Sequence, residues 1–62
     1  MLSIEKCGNL LNKEYAKIEN ENDEFYTDKE TESTYSWIIK KGSSIIELRV
    51  DRATGKITKR ER

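Results

Sequence analysis

Sixty-two residues suffice for one domain. A chain this short buries only about 60% of its unfolded surface, and here 39% of the residues are charged, with twelve bases against twelve acids and a formal charge of zero. One cysteine and no histidine exclude an internal disulfide and the usual zinc ligand sets, so packing, self-association or a partner has to supply the stability.

The first element is a helix. Leu2, Ile4, Cys7, Leu11, Tyr15 and Ile18 recur at steps of three and four, which draws one amphipathic face. Ser3 is a candidate N-cap, with Glu5 placed to favour the helix dipole. Gly8-Asn9 interrupts the pattern, since glycine inside a helix costs about 1 kcal/mol relative to alanine. Two starts therefore stay open: a long helix from Ser3, or a shorter one capped by Asn9 with Leu2 to Lys6 extended. Residues 19–24, Glu-Asn-Glu-Asn-Asp-Glu, have nothing to bury and predict an exposed turn or a frayed helix end.

From Phe25 the residues become aromatic and β-branched. Phe25, Tyr26, Thr27, Thr31 and Thr34 suggest a polar edge strand. Tyr35 to Lys40 is a clearer strand, with Tyr35, Trp37 and Ile39 on one face. After a turn at Lys41-Gly42-Ser43-Ser44, Ile45 to Asp51 alternates Ile46, Leu48 and Val50 with Ile45, Glu47 and Arg49, the period of a half-buried strand. Asp51-Arg52-Ala53-Thr54-Gly55 then predicts a hairpin loop. Asp bonds the amides ahead of it, and Gly takes the positive-φ position. Asp51, Thr54 and Gly55 are thus structural residues, and Lys56 to Lys59 forms the last strand. The expected fold is α+β: one N-terminal helix packed on a three- to four-stranded antiparallel β-meander, a common two-layer solution.

The stretch Ile-Ile-Glu-Leu-Arg-Val-Asp-Arg-Ala-Thr-Gly-Lys-Ile, residues 45–57, resembles the closing hairpin of a PepSY domain: an extended strand, an Asp-x-x-Thr-Gly turn and a short final strand. Thr-Tyr-Ser-Trp-Ile-Ile-Lys, residues 34–40, is similar to the middle strand of that family. The resemblance covers residues 34–58, and the first half of the chain matches only in outline. It implies a fold and a bias towards binding or inhibition, since some PepSY domains inhibit peptidases. It brings no catalytic residues. PepSY domains are usually exported or membrane-tethered, whereas Met1-Leu2-Ser3-Ile4-Glu5-Lys6 lacks the pattern of a signal peptide. No apolar run approaches the roughly 20 residues of a membrane span. With its lone cysteine, the chain is expected to be cytoplasmic and without a membrane partner.

Chemistry is sparse. Nucleophilic catalysis needs a base beside the nucleophile, and Cys7 lies on the apolar helix face, where a small buried residue is expected. The acids of residues 19–32 would need a pocket to shift their pKa values before doing acid–base work. Asn20-x-Asn22-x-Glu24 echoes a calcium loop but places Phe25 where glycine belongs and Thr31 where a bidentate glutamate belongs. Gly8, Gly42 and Gly55 are isolated, so no phosphate loop exists. The expectation is a non-enzyme with no metal and no cofactor.

Charge supplies the binding hypotheses. Residues 1–32 carry nine acids and four lysines, whereas residues 33–62 carry eight bases and three acids. This reads either as a solvated surface or as two opposed patches. Between residues 19 and 32 seven acids face one lysine, and Glu21, Asp23, Glu24, Asp28 and Glu30 are the candidate partner-binding residues, able to present carboxylates to a basic protein surface. Lys40, Lys41, Arg49, Arg52, Lys59, Arg60 and Arg62 are the candidate nucleic-acid contacts. Tyr35 and Trp37 could be stacking platforms on the sheet, but Trp37 is expected instead to pack under the helix, because the core has few other large residues. A zero net charge argues against a dedicated nucleic-acid binder, for which a pI above about 9 is usual. The first expectation is a protein-binding module, an inhibitor or adaptor. Small phage or mobile-element proteins that inhibit host defence, anti-CRISPR proteins among them, have this profile. Nucleic-acid binding and a homo-oligomer paired through strand edges are the alternatives.

Overall fold

The computed structural model describes residues 1–62. Helix α1 spans Ile4–Ala16, followed by strands β1 (Glu24–Glu30), β2 (Thr34–Lys41), β3 (Ser44–Asp51) and β4 (Ile57–Glu61). The strands form one antiparallel sheet in the order β1-β2-β3-β4. The expected α+β meander is therefore present with all four strands.

The longer of the two helix starts is the one adopted. Ser3 is the N-cap, its hydroxyl accepts from the Lys6 amide at 3.1 Å, and Glu5 lies in the first turn. Gly8 is accommodated within the helix. An alanine Cβ there would meet nothing within 4 Å, so its cost is one of propensity and not of packing.

The helix lies over β2 and β3. Cys7 and Leu11 pack with Tyr35, Ile39, Ile46, Leu48 and Val50 to form the core, and Cys7, Leu11, Leu48 and Val50 are fully buried. Leu2, Ile4, Leu10, Tyr15, Ile18, Trp37 and Ile57 border this cluster. The alternation of β2 and β3 therefore directs Tyr35, Trp37, Ile39, Ile46, Leu48 and Val50 towards the helix. Cys7 is a core residue, as its place on the apolar face implied.

The second and third hairpin turns follow their local chemistry. Gly42 takes φ +63° in the two-residue β2–β3 loop, and no other residue there has positive φ. That is the pattern of a type II′ turn. In the β3–β4 loop Asp51 Oδ1 accepts from the amides of Ala53 (2.8 Å) and Thr54 (3.2 Å). Gly55 closes the loop at φ +81°, its amide donating to the Asp51 carbonyl at 2.7 Å.

Strand β1 differs from the other strands. All seven of its residues are exposed, and its register with β2 shifts between Phe25 and Thr27, a β-bulge around Tyr26. The bulge breaks the two-residue period, which is why this strand was the least certain in the sequence.

Candidate functional site

Each sheet face can be read from the register. On the side away from the helix three cross-strand rows run from β1 to β4: Lys29–Ser36–Arg49–Thr58, Thr27–Ile38–Glu47–Arg60, and Glu24–Lys40–Ile45–Arg62. These three rows carry five cations and two carboxylates. No second layer covers it, yet Ser36, Ile38 and Glu47 at its centre are buried; the long side chains around them provide the cover. Burial alone would raise the pKa of Glu47. The Arg49 guanidinium at 3.1 Å, the Ser36 hydroxyl and the nearby Arg62 outweigh burial and hold the carboxyl below its usual range.

The seven candidate basic residues do not act as one patch. Lys40, Arg49, Arg60 and Arg62 share the open face, whereas Lys41 and Lys59 project to the helix side by strand alternation. Lys41 Nζ bonds the Ile18 carbonyl (2.6 Å) and Asp23 Oδ2 (2.7 Å). Arg52 is likewise engaged. Its Nε donates to the Leu2 carbonyl (3.1 Å) and its Nη1 to the Thr31 carbonyl (2.8 Å), while its own carbonyl accepts from the Leu2 amide (2.7 Å). Arg52 thus ties the N-terminus to the β1–β2 turn. Tyr35 and Trp37 lie on the helix side, so the stacking platforms and the basic face are separated.

The acidic candidates divide in the same way. Asp23 is almost inaccessible, its side chain 4% exposed. Its Oδ2 accepts from the Tyr15 hydroxyl (2.6 Å), the Asn20 amide (2.8 Å) and Lys41 Nζ (2.7 Å). Burial opposes its ionisation, but these three donors and the lysine charge prevail and bring its pKa down to about 2. The reciprocal effect holds Tyr15 up at about 12, chiefly through its hydrogen bond to Asp23 and then through burial. Asp23 is therefore an internal clasp, not a docking carboxylate. Glu21, Glu24, Asp28 and Glu30 stay exposed. Asp28 and Glu30 lie on the helix side of β1, opposite Trp37 and Tyr35, and Asp28 Oδ2 accepts from the Tyr35 hydroxyl at 2.8 Å.

Beside these two carboxylates lies a feature the sequence reading did not single out. The helix covers β2 and β3 and leaves β1 bare, so an apolar notch of about 160 Å³ opens between α1 and the sheet, lined by Asn12, Tyr15, Phe25, Trp37 and Ile39. Phe25 is 59% exposed and meets Trp37 edge to face at a centroid distance of 5.7 Å. Tyr26, at the bulge, is 72% exposed. Large aromatics on a short, highly charged strand were the available signal. A wider depression of about 600 Å³ just beyond the C-terminal end of the helix is open and polar, and is lined by Glu21, Asp23, Lys41, Lys59 and Glu61 among others. Its charges are of both signs, and no set of three or more ligating side chains converges anywhere in the chain. No helix is long and apolar enough to cross a membrane.

No family model, no curated protein and no solved structure matches this chain.

Proposed function

We propose that this protein is a non-enzymatic binding module that docks on a partner protein through the aromatic and acidic strip at the β1 edge. The observation that carries this reading is Phe25. A phenylalanine that exposes more than half of its surface, on a strand with no covering layer and beside a notch, is a recognition feature that the fold does not require. Aromatic anchors with flanking charge are the usual composition of an interface centre and its rim. Asp28 and Glu30 on the same side favour a partner that brings lysine or arginine. The PepSY-like hairpin adds a bias in the same direction, towards an inhibitor or adaptor. Capture of a partner from host lysate, with nuclease present, tests the reading. Capture should be lost with Phe25→Ala combined with Glu30→Lys, and capture unaffected by these changes refutes it.

A second reading has its own observation. Lys40, Arg49, Arg60 and Arg62 share the uncovered face, a geometry suited to phosphates. Binding of single-stranded or duplex DNA should then weaken steeply with salt and vanish in the Lys40→Ala, Arg60→Ala, Arg62→Ala variant. Retention of binding by that variant refutes this reading.

A further inference from the structure

We infer that the partner docks as an added β-strand: an extended segment with lysine or arginine at every second position, paired antiparallel to β1. This inference rests on the proposed docking strip and names the partner chemistry that the strip would take.

The argument begins with the backbone. β1 is an edge strand, because the sheet order ends with it. In an antiparallel pair, residues alternate between bonding the neighbouring strand and facing away from it. The Thr31 amide bonds the Thr34 carbonyl at 2.9 Å. Counting back by two, Lys29 also faces β2, whereas Asp28 and Glu30 turn their N–H and C=O groups to the open edge, where the Asp28 carbonyl accepts only a long contact from the Thr27 hydroxyl (3.4 Å). Edge strands with free backbone groups template strand addition.

The side chains then select the occupant. Asp28 and Glu30 lie on the helix side, while Lys29 between them projects to the other face. A residue of the incoming strand directly opposite Asp28 or Glu30 lies on the same side, with Cβ atoms about 5 Å away. Two successive helix-side positions therefore favour a base, and the intervening position beside Lys29 disfavours one. Further along, Phe25 and the notch favour an apolar side chain. Antiparallel pairing places that apolar residue towards the C-terminal end of the incoming segment.

A second copy of this chain is a poorer occupant. The helix side of its own basic edge strand, β4, carries Ile57, Lys59 and Glu61, so a base and an acid alternate where two bases are wanted. Self-pairing of β1 sets carboxylates against one another, since the strand holds Glu24, Asp28 and Glu30.

The test uses the whole protein, labelled with nitrogen-15, and a short synthetic peptide that alternates lysine and threonine and ends in leucine. Strand addition predicts shifts in the amides of Asp28 and Glu30 and in the Trp37 indole. In the added strand the lysine amides bond β1 and the threonine amides face away. N-methylation of the lysine amides should therefore weaken binding by about tenfold or more, and N-methylation of the threonine amides should leave it nearly unchanged. Equal effects of the two methylation patterns, or no binding at millimolar peptide, overturn the inference. So does growth in mass with protein concentration that Asp28→Lys abolishes, because the occupant is then a second copy. These failures are separable from failure of the docking strip itself. Lysate capture that still depends on Phe25 and Glu30 keeps the strip and removes only the strand geometry.

Discussion

Asp23 and Lys41, eighteen positions apart in the chain, meet at 2.7 Å and fasten the segment after the helix to the end of β2. The same ammonium lies 5.8 Å from the centre of the Tyr15 ring and bonds the Ile18 carbonyl. Helix end, acidic loop and β2–β3 hairpin therefore share one charged joint, which has consequences for stability.

The joint makes stability pH-dependent in a stated direction. The folded pKa of Asp23 is about 2, against an ordinary value of 3.8. A depressed carboxyl stabilises the fold fully above its ordinary value and ceases to do so as the pH falls through the folded one. The midpoint of thermal unfolding should therefore drop between about pH 4 and pH 2. Asp23→Asn should lower it at pH 7 and flatten that acid slope. Tyr15 acts with the opposite sign. Its pKa is raised to about 12, so its contribution is complete below about pH 10 and is lost as the pH rises towards 12. Circular dichroism melts across both ranges check this, and an unchanged acid slope in Asp23→Asn would remove the joint from the account.

Arg52 predicts a second loss of stability. Its guanidinium bonds carbonyls of Leu2 and Thr31, fifty and twenty-one positions away. Arg52→Ala should cost about 1 kcal/mol or somewhat more in urea unfolding, the net worth of two charge-assisted hydrogen bonds whose acceptors water can partly reach. Arg52→Lys should recover little, because one ammonium cannot reproduce the planar fork. Amide exchange of Leu2 should accelerate in both variants.

Leu48 tests the core. It is fully inaccessible and lies between β2 and β4 in the middle of the sheet. Leu48→Ala should cost about 2–5 kcal/mol, which is a large fraction of the stability of so small a domain. Loss of cooperative melting at 25 °C is the expected outcome, and a small shift in the midpoint would mean that the core collapses around the gap.

Phe25 should behave in the opposite way. Being largely exposed, it contributes to the fold mainly through its edge contact with Trp37, worth about 0.5–1.5 kcal/mol. Phe25→Ala should lower the unfolding free energy measured in urea by no more than about that amount while changing the emission of Trp37, the only tryptophan. Unfolding of this variant would make Phe25 a core residue and remove it from the docking strip.

Local chemistry made much of the fold legible. The Ser3 cap, the spacing of Cys7 and Leu11, the alternation of Ile46, Leu48 and Val50, and the Asp51-to-Gly55 turn each act within a few residues, and each was readable. β1 was less so, because the bulge at Tyr26 disrupts its period and no face of it is buried. The site was legible only as charge. Asp23 and Arg52 have the same composition as their surface neighbours, and what removes them from the surface is a partner many positions distant. Lys59 and Arg60 are adjacent in sequence and for that reason lie on opposite faces. Phe25 was visible as an aromatic residue, but its exposure depends on the helix covering β2 and β3 and leaving β1 bare.

The meander order has one more effect. It carries the acidic half of the chain to one edge and the basic end to the other, three strand spacings or about 14 Å away. A molecule with zero net charge thereby acquires a permanent dipole in the plane of its sheet. Approaching a charged surface it feels little pull but a definite torque. It therefore arrives already turned, with β1 towards positive potential and β4 towards negative, so that orientation precedes contact.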